Sequence, residues 1–273
     1  MSPQIAAAPI LRSLVVARLL RQESFLAVEA LVRSPARRSM GVAVSFGDDA
    51  LGYFTERLDV DRLRSAVAGI VRQAKRNKAF EESRWIGLAI DGTGAGRSKE
   101  KKCEDCRPVR NKKKEIIGYH HKLVMVSVVG TGLTLPLDVE PYGPGDSEYA
   151  AGQRLLRRVR GNLGARFANY VVVDGEFATA PFLHVAGDLG VKVVARLKEN
   201  LPELYEAARR RFAHKPPDRK FQDGQDRIEI WDCEDFDPWE ALRWKTVRVI
   251  RYRQHKPDGN VVEAYWLTDF SKA

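Results

Sequence analysis

Over residues 1–82 the apolar positions recur with a helical period: Leu63, Val67, Ile70, Val71 and Ala74 fall on one face of a single helix. Asp59 or Asp61 stands where it can cap that helix. Its other face carries Arg64, Arg72, Lys75, Arg76 and Lys78, a basic stripe that fits a phosphate backbone or a solvated surface. After Arg84 the period changes. Trp85-Ile86-Gly87-Leu88-Ala89-Ile90 is a nearly continuous apolar run ending in Asp91-Gly92-Thr93-Gly94, which predicts a buried strand running into a glycine-rich turn.

Residues 122–129 and 133–139 read as two strands joined through Gly130-Thr131-Gly132, a hairpin. Gly143-Pro144-Gly145 stops the second strand. Asp146 or Ser147 can cap the helix that follows, with Tyr149, Leu155, Leu156 and Val159 along it and Gly161 to end it. A buried strand, Tyr170-Val171-Val172-Val173, leads into Asp174-Gly175. A short helix over 181–188 precedes another buried strand at 191–195, and beyond it the chain is β-rich, with strands expected at 226–231, 246–252 and 261–267.

From 85 to 197 the order is therefore strand, strand, strand, helix, strand, helix, strand. This predicts an α/β fold with a mixed sheet resembling the RNase H-like domain, in which a three-strand antiparallel meander is followed by crossover helices that add parallel strands. In that topology the first and fourth strands are neighbours, so Asp91 and Asp174 meet at their carboxyl ends. The expected organisation is a helical N-terminal region over 1–82, a candidate for DNA binding, and an α/β domain over 83–273 that is β-rich from about residue 199.

Two carboxylates at adjacent strand ends suit a hard cation such as Mg²⁺ or Mn²⁺, which prefers oxygen ligands. A pair of such ions can stabilise the attacking and leaving oxygens of a phosphodiester displacement. Gly92 and Gly175 would let the chain turn away and leave room for a bulky substrate backbone. Asp-Gly is also a common turn signal, so the chemistry rests on the two pairs lying side by side.

Composition narrows the class. Hydrophobic residues are 44% and charged residues 30% of the chain, which fits a soluble folded protein and excludes a disordered one. The formal net charge of +10 favours polyanionic partners, nucleic acid first among them, although net charge alone argues only for non-specific attraction. The cations crowd where phosphates would pass: Arg97, Lys99, Lys101, Lys102, Arg107, Arg110, Lys112, Lys113 and Lys114 follow the strand that leads into Asp91, and Arg196 and Lys198 end a neighbouring one.

Three cysteines make no disulfide framework and suit a reducing, cytoplasmic setting. The first apolar stretch, 5–20, is broken by Arg12 and Arg18 and fits neither a secretory signal nor a membrane span. Cys103 and Cys106 form a C-x₂-C pair followed by His120 and His121, a spacing loosely like a zinc site. Trp231, Trp239, Trp244 and Trp266 can stack on bases or fill a core, and core filling is the commoner role for aromatics in a small sheet.

Four segments carry a family resemblance: 85–93, ending Ile90-Asp91-Gly92-Thr93; Gly118-Tyr119-His120-His121-Lys122-Leu123-Val124; Val171-Val172-Val173-Asp174-Gly175-Glu176-Phe177-Ala178-Thr179; and Val194-Ala195-Arg196-Leu197-Lys198. In order and spacing they resemble the DDE transposases of bacterial insertion sequences, the IS-four-like group with a late β insertion, over roughly residues 85–270. The resemblance implies a metal-dependent enzyme that nicks transposon ends and joins the freed 3′-hydroxyl to target DNA. It implies that double-stranded DNA is the partner, that a homodimer acts on it, and that Asp91 and Asp174 are catalytic metal ligands.

The family's third acidic residue is a Glu on a helix after the insertion, and no such motif stands in 85–273. The run Tyr265-Trp266-Leu267-Thr268-Asp269-Phe270-Ser271-Lys272-Ala273 looks like the strand returning from the insertion, so the resemblance implies a copy lacking the final helix. Glu263 sits within a strand-like run without the motif, and Glu176 is a local metal or water contact at most.

The rival readings are a transposase-derived protein that binds DNA without cutting it and an RNase H-like nuclease outside transposition. A haloacid-dehalogenase-like phosphatase, to whose motif Ile90-Asp91-Gly92-Thr93 is similar, needs a nucleophilic Asp two positions earlier, where this chain has Ala89.

Overall fold

The computed structural model describes residues 5–80 and 84–271. The chain divides into two compact units, Met1–Leu63 and Arg64–Ala273. The boundary expected at 82/83 falls outside the described residues.

The first unit is helical: α1 (Ala7–Leu19), α2 (Phe25–Arg33) and α3 (Asp48–Glu56). They enclose their own core of Ile10, Ala17, Val28, Val32, Val42, Phe46 and Leu51. Ser24 caps α2 by accepting the Ala27 N–H at 3.2 Å, and the Glu29 carboxylate accepts the Asp48 N–H at 2.9 Å, tying α2 to the start of α3. No helix among the described residues is long and apolar enough to cross a membrane.

α4 (Val60–Arg76) begins at Asp59, whose carboxylate accepts the Arg62 N–H at 3.1 Å. In the larger unit Val71 is buried, with Val67 and Ala74 packed beside it, whereas Ile70 is 69% exposed. The buried stripe thus differs from the one the sequence spacing predicts: Ala68 is buried beside Val71, while Leu63 and Ile70 are exposed. Three of the cations on the basic flank are engaged by the fold, while Arg76 and Lys78 are exposed: Arg64 pairs with Asp138 at 3.0 Å, Arg72 donates to the Asn162 carbonyl, and Lys75 donates to the Arg166 and Phe167 carbonyls.

Among the described residues ten strands form one mixed sheet: β1 (Gly87–Ser98), β2 (Arg107–Arg110), β3 (Ile116–Val129), β4 (Leu135–Tyr142), β5 (Tyr170–Val173), β6 (Lys192–Leu197), β7 (Arg219–Asp223), β8 (Asp226–Phe236), β9 (Val247–His255) and β10 (Val261–Thr268). Their order is β2-β3-β1-β5-β6-β10-β9-β8-β7, with β4 also on β3. The expected meander and the neighbouring first and fourth strands are present: β1 runs antiparallel to β3 and parallel to β5, and β5 runs parallel to β6. α5 (Glu148–Leu163) and α6 (Ala180–Asp188) make the crossovers. Their Leu155, Leu156, Phe182 and Leu183 pack with Leu88 and Ile90 of β1, Val171 and Val173 of β5, and Val193 and Ala195 of β6.

Asn169 sets the register of the three parallel strands. Its side-chain oxygen accepts the Ile86 N–H at 2.9 Å, its own N–H donates to the Ile86 carbonyl at 2.8 Å, and its carbonyl accepts the Lys192 N–H at 3.0 Å. α5 is pinned to β4 by ions as well as by apolar packing. Arg158 pairs with Asp138 at 2.6 Å and with Glu140 at 2.5 Å, and Arg154 pairs with Glu140 at 2.7 Å. Burial pushes the Glu140 carboxyl up, but the two guanidiniums outweigh it and hold the group below its usual range.

Several elements depart from the sequence expectation. β1 does not end at Asp91 in a turn; it continues through Gly92 and Gly94 to Ser98, because the long β3 offers a partner at every step, with one bulge between Ala95 and Arg97. α5 passes through Gly161 and ends at Gly164, whose φ is +87°. α7 (Pro202–Ala213) stands where only strands were expected, and its Leu204, Ala208 and Phe212 are buried at a spacing of four. β7 is a further strand beyond those expected, since all five of its residues are exposed and no alternation marks it.

Replacing Asn169 with Ala leaves the Ile86 amide without its side-chain partner and is expected to cost about 1–3 kcal/mol, read by denaturant unfolding. Leu155→Ala, at a fully buried position, is expected to cost about 2–5 kcal/mol. Acidification should add to both losses. Glu140 contributes stability that is complete above its unfolded-state value, about 4.3, and is lost as pH falls through its lower folded value.

Candidate functional site

The last paired positions of the two parallel strands are Ile90 and Val173. The next residues are Asp91 and Asp174, so the two carboxylates stand at the carboxyl end of the pair on strands about 4.8 Å apart. Ile90 and Val173 both point into the core, and by strand alternation Asp91 and Asp174 leave it on the other side.

Asp91 is exposed and its Oδ1 accepts the Gly92 N–H at 2.8 Å. Asp174 is half-buried. Its Oδ1 accepts the Glu176 N–H at 2.7 Å, opening a short 3-10 turn over Gly175–Phe177, and its Oδ2 accepts from Lys198 Nζ at 2.6 Å. Burial raises the Asp174 carboxyl, but the Lys198 ammonium, the Glu176 N–H and the charge of Arg196 prevail and hold it below the ordinary aspartate range.

The turn carrying Asp174 is fixed from below. Phe177 is fully buried, with its ring edge-on to Phe182 at 5.4 Å between centroids. It fits a notch in α5 at Gly152, where a Cβ would lie 2.6 Å from Phe177 Cε1. Asn200 Nδ2 donates to the Gly175 carbonyl at 2.6 Å, and a Cβ on Gly175 would sit 3.1 Å from the Arg196 carbonyl oxygen. Gly175 therefore serves close packing of the turn against the end of β6, not clearance for a substrate.

Gly92 likewise leaves no open room, because a Cβ there would run into the Glu148 carboxylate. Glu148 is the first residue of α5, and its Oε2 accepts from the Tyr142 hydroxyl at 2.6 Å. Burial and this carboxylate raise the Tyr142 phenol above its ordinary value, so it stays a donor. Glu148 is not among the residues the sequence singles out. Its one signal is its place just after the Ser147 cap, which does not show that the side chain turns toward β1.

Beside Asp174 lies a cleft of about 520 Å³ whose lining includes Glu176, Arg196, Lys198, Glu263 and Tyr265. Glu263 is held by Arg251 at 2.7 Å and Arg253 at 2.8 Å. These guanidiniums overcome the effect of burial and keep its carboxyl below the usual range, so Glu263 serves the β9–β10 pair. Arg196 lies over the Trp266 ring at 5.2 Å. Trp231 is buried and donates to the Lys215 carbonyl at 2.7 Å, while Trp239 and Trp244 pack on the core, which is the core-filling role.

The basic segment after Asp91 is partly ordered into strands. Arg97 lies within β1 opposite His120, and Arg107 and Arg110 bound β2. Arg107 donates to the Gly143 and Asp146 carbonyls, Arg110 donates to the Lys114 carbonyl, and Lys102 pairs with Glu100 at 2.9 Å. Lys99, Lys101, Lys112, Lys113 and Lys114 are exposed.

Cys103, Cys106 and His121 come together. The two sulfurs are 3.7 Å apart, and His121 Nε2 lies 3.1 Å from Cys103 Sγ and 3.3 Å from Cys106 Sγ. Among the described residues this is the one group of three or more His, Cys, Asp or Glu with ligand atoms all within 4.8 Å. His120 lies outside it, and burial, then the charges of Lys122, Arg107 and Arg97, hold its imidazole below the ordinary histidine range. For Cys106 a backbone hydrogen bond at Lys102 is the largest influence. With help from the Cys103 backbone and His121 it overcomes burial, and the thiol is lowered to about 7.

Substituting Lys198 with Met removes the cation from Asp174. The carboxyl resonance of Asp174 is then expected to titrate at higher pH than in the parent chain, toward the ordinary aspartate value of about 3.9. Carboxyl-carbon NMR titration reads this directly, and an unchanged midpoint would show that Lys198 does not set the charge of Asp174.

Neither a protein-family model nor a curated protein matches the chain. Among solved structures, it is similar to the piggyBac transposase in a synaptic complex with hairpin DNA, seen by cryo-electron microscopy. The two share 13% sequence identity at a TM-score of 0.47, over 98% of this chain and 52% of that one, so this chain spans about half the length of that protein.

Proposed function

We propose that this chain is a DNA transposase of the DDE type, with an RNase H-like catalytic domain that cleaves phosphodiester bonds at transposon ends and joins them to target DNA. The observation that supports the reading is the parallel β1–β5 pair, whose last register positions, Ile90 and Val173, directly precede Asp91 and Asp174. The four segments resembling insertion-sequence transposases fall on β1, β3, the β5 turn and β6, the elements that surround this pair.

The donor set suits a hard divalent cation. Both groups are carboxylates, Asp91 is exposed, and Asp174 Oδ2 already meets a positive charge, the Lys198 ammonium at 2.6 Å. Mg²⁺ or Mn²⁺ bound to Asp91 and Asp174 would supply Lewis acidity toward a phosphate and stabilise the oxygens that attack and leave.

The chain's own residues do the rest. Lys198 and Arg196 keep the Asp174 carboxylate ionised and place positive charge where a phosphate would approach. The Phe177–Gly152 contact fixes the turn that aims Asp174. Lys99, Lys101, Lys112, Lys113 and Lys114 offer exposed ammoniums to the DNA backbone, contacts that give affinity without reading sequence.

Asp91→Asn and Asp174→Asn are each expected to lower Mg²⁺-dependent cleavage of end-bearing DNA by at least about 100-fold, with far-UV circular dichroism unchanged. Cleavage that survives both substitutions refutes the assignment. DNA binding without cleavage in the parent chain, in Mg²⁺ and in Mn²⁺, favours the transposase-derived binding protein instead. Changing Lys112, Lys113 and Lys114 to Ala should weaken binding to all sequences alike. It should also flatten the salt dependence by about one unit of log-log slope for each phosphate that is no longer neutralised.

A further inference from the structure

The chain carries a second group of metal-ligand side chains whose chemistry differs from that of Asp91 and Asp174. Cys103 and Cys106 lie on the connection between β1 and β2, and His121 lies on β3 opposite Ala95 of β1. Zinc bonds to sulfur at about 2.3 Å and to imidazole nitrogen at about 2.0–2.1 Å, so tetrahedral ligation puts two sulfurs about 3.8 Å apart and sulfur and nitrogen about 3.6 Å apart. The separations of 3.7, 3.1 and 3.3 Å come near those edges.

Thiolate and imidazole donors are the set that selects zinc over the oxygen-seeking cations. A redox pair of cysteines needs no third ligand, yet His121 Nε2 is aimed at both sulfurs.

We propose that Cys103, Cys106 and His121 hold a structural zinc ion, with the fourth position open to solvent, and that this ion pins the β1–β2 connection to β3. The segment so pinned begins at Lys99 and runs through Lys101 and Lys102 to Arg107. The ion would fix where these cations are displayed, on the far reach of the strand that carries Asp91. Only this use of the display rests on the DNA-binding reading; the zinc site itself does not.

The test uses the full chain, purified without chelator from zinc-supplemented medium, with metal content read by mass spectrometry. About one zinc per chain is expected, as structural sites bind tightly at neutral pH. Cys103→Ser and His121→Ala should each weaken zinc affinity at least about tenfold in competition with a chromophoric chelator, whereas His120→Ala should leave it unchanged. Cobalt-loaded parent protein should show the intense visible bands of a tetrahedral thiolate site, a readout that does not depend on the variants folding.

Zinc far below one per chain, equal zinc in all the variants, or a metal-free protein whose Cys103 and Cys106 are joined in a disulfide overturns the proposal. Asp91→Asn is expected to keep its zinc whatever its effect on cleavage, so the two readings fail separately.

Discussion

The site depends on one pairing, the short parallel register of β1 with β5 that runs from Gly87 opposite Tyr170 to Ile90 opposite Val173. A slip of one residue would send Leu88 and Ile90 to the wrong face and move Asp91 away from Asp174 together. Two devices hold the register. Asn169 hydrogen-bonds both ways with Ile86 and onward to Lys192 at the start of the strands, and the fully buried Val171 sits opposite Leu88 in the core beneath α5 and α6. Burial of those apolar side chains stabilises the pair more than the hydrogen bonds do, while the asparagine selects the alignment in which they are buried.

From that pairing the rest of the candidate site follows by packing. Gly152 lets α5 approach close enough to receive Phe177, Phe177 anchors the turn behind Asp174, and the turn hands Asp174 to Lys198 at the end of β6. On the other flank, Glu148 fills the space that Gly92 leaves and meets Tyr142 from β4. The two glycines after the aspartates are thus contacts between elements, and their lack of a side chain is used by the protein itself. Not every cation is offered to a polyanion: Arg64, Arg154 and Arg158 are paired with carboxylates, and Arg72 and Lys75 donate to backbone carbonyls.

Much of this is legible in the sequence because the governing signals are local. The apolar runs before Asp91 and Asp174, the Gly130-Thr131-Gly132 break and the Ser147 cap mark strands, a hairpin and a helix start that the structure contains. The strand order then follows from the rules of chain connection. What is illegible depends on partners distant in sequence. β1 extends past its glycines only because β3 is long enough to pair with it, and the selection of His121 over His120 depends on which way β3 presents each ring. α7 is visible in the spacing of Leu204, Ala208 and Phe212 behind Pro202, but its many charges mask a helix in a stretch that reads as β. β7 has no signal of its own, as its partner β8 supplies the order.

If Asp91 and Asp174 act as one cation site, direct metal binding shows it without requiring the DNA substrate. Mn²⁺ binding to the zinc-loaded chain, followed by electron paramagnetic resonance, should show a site that Asp91→Asn and Asp174→Asn each weaken by about 10–100-fold or more. Mn²⁺ affinity indifferent to both substitutions, in chains that remain folded, would contradict the account.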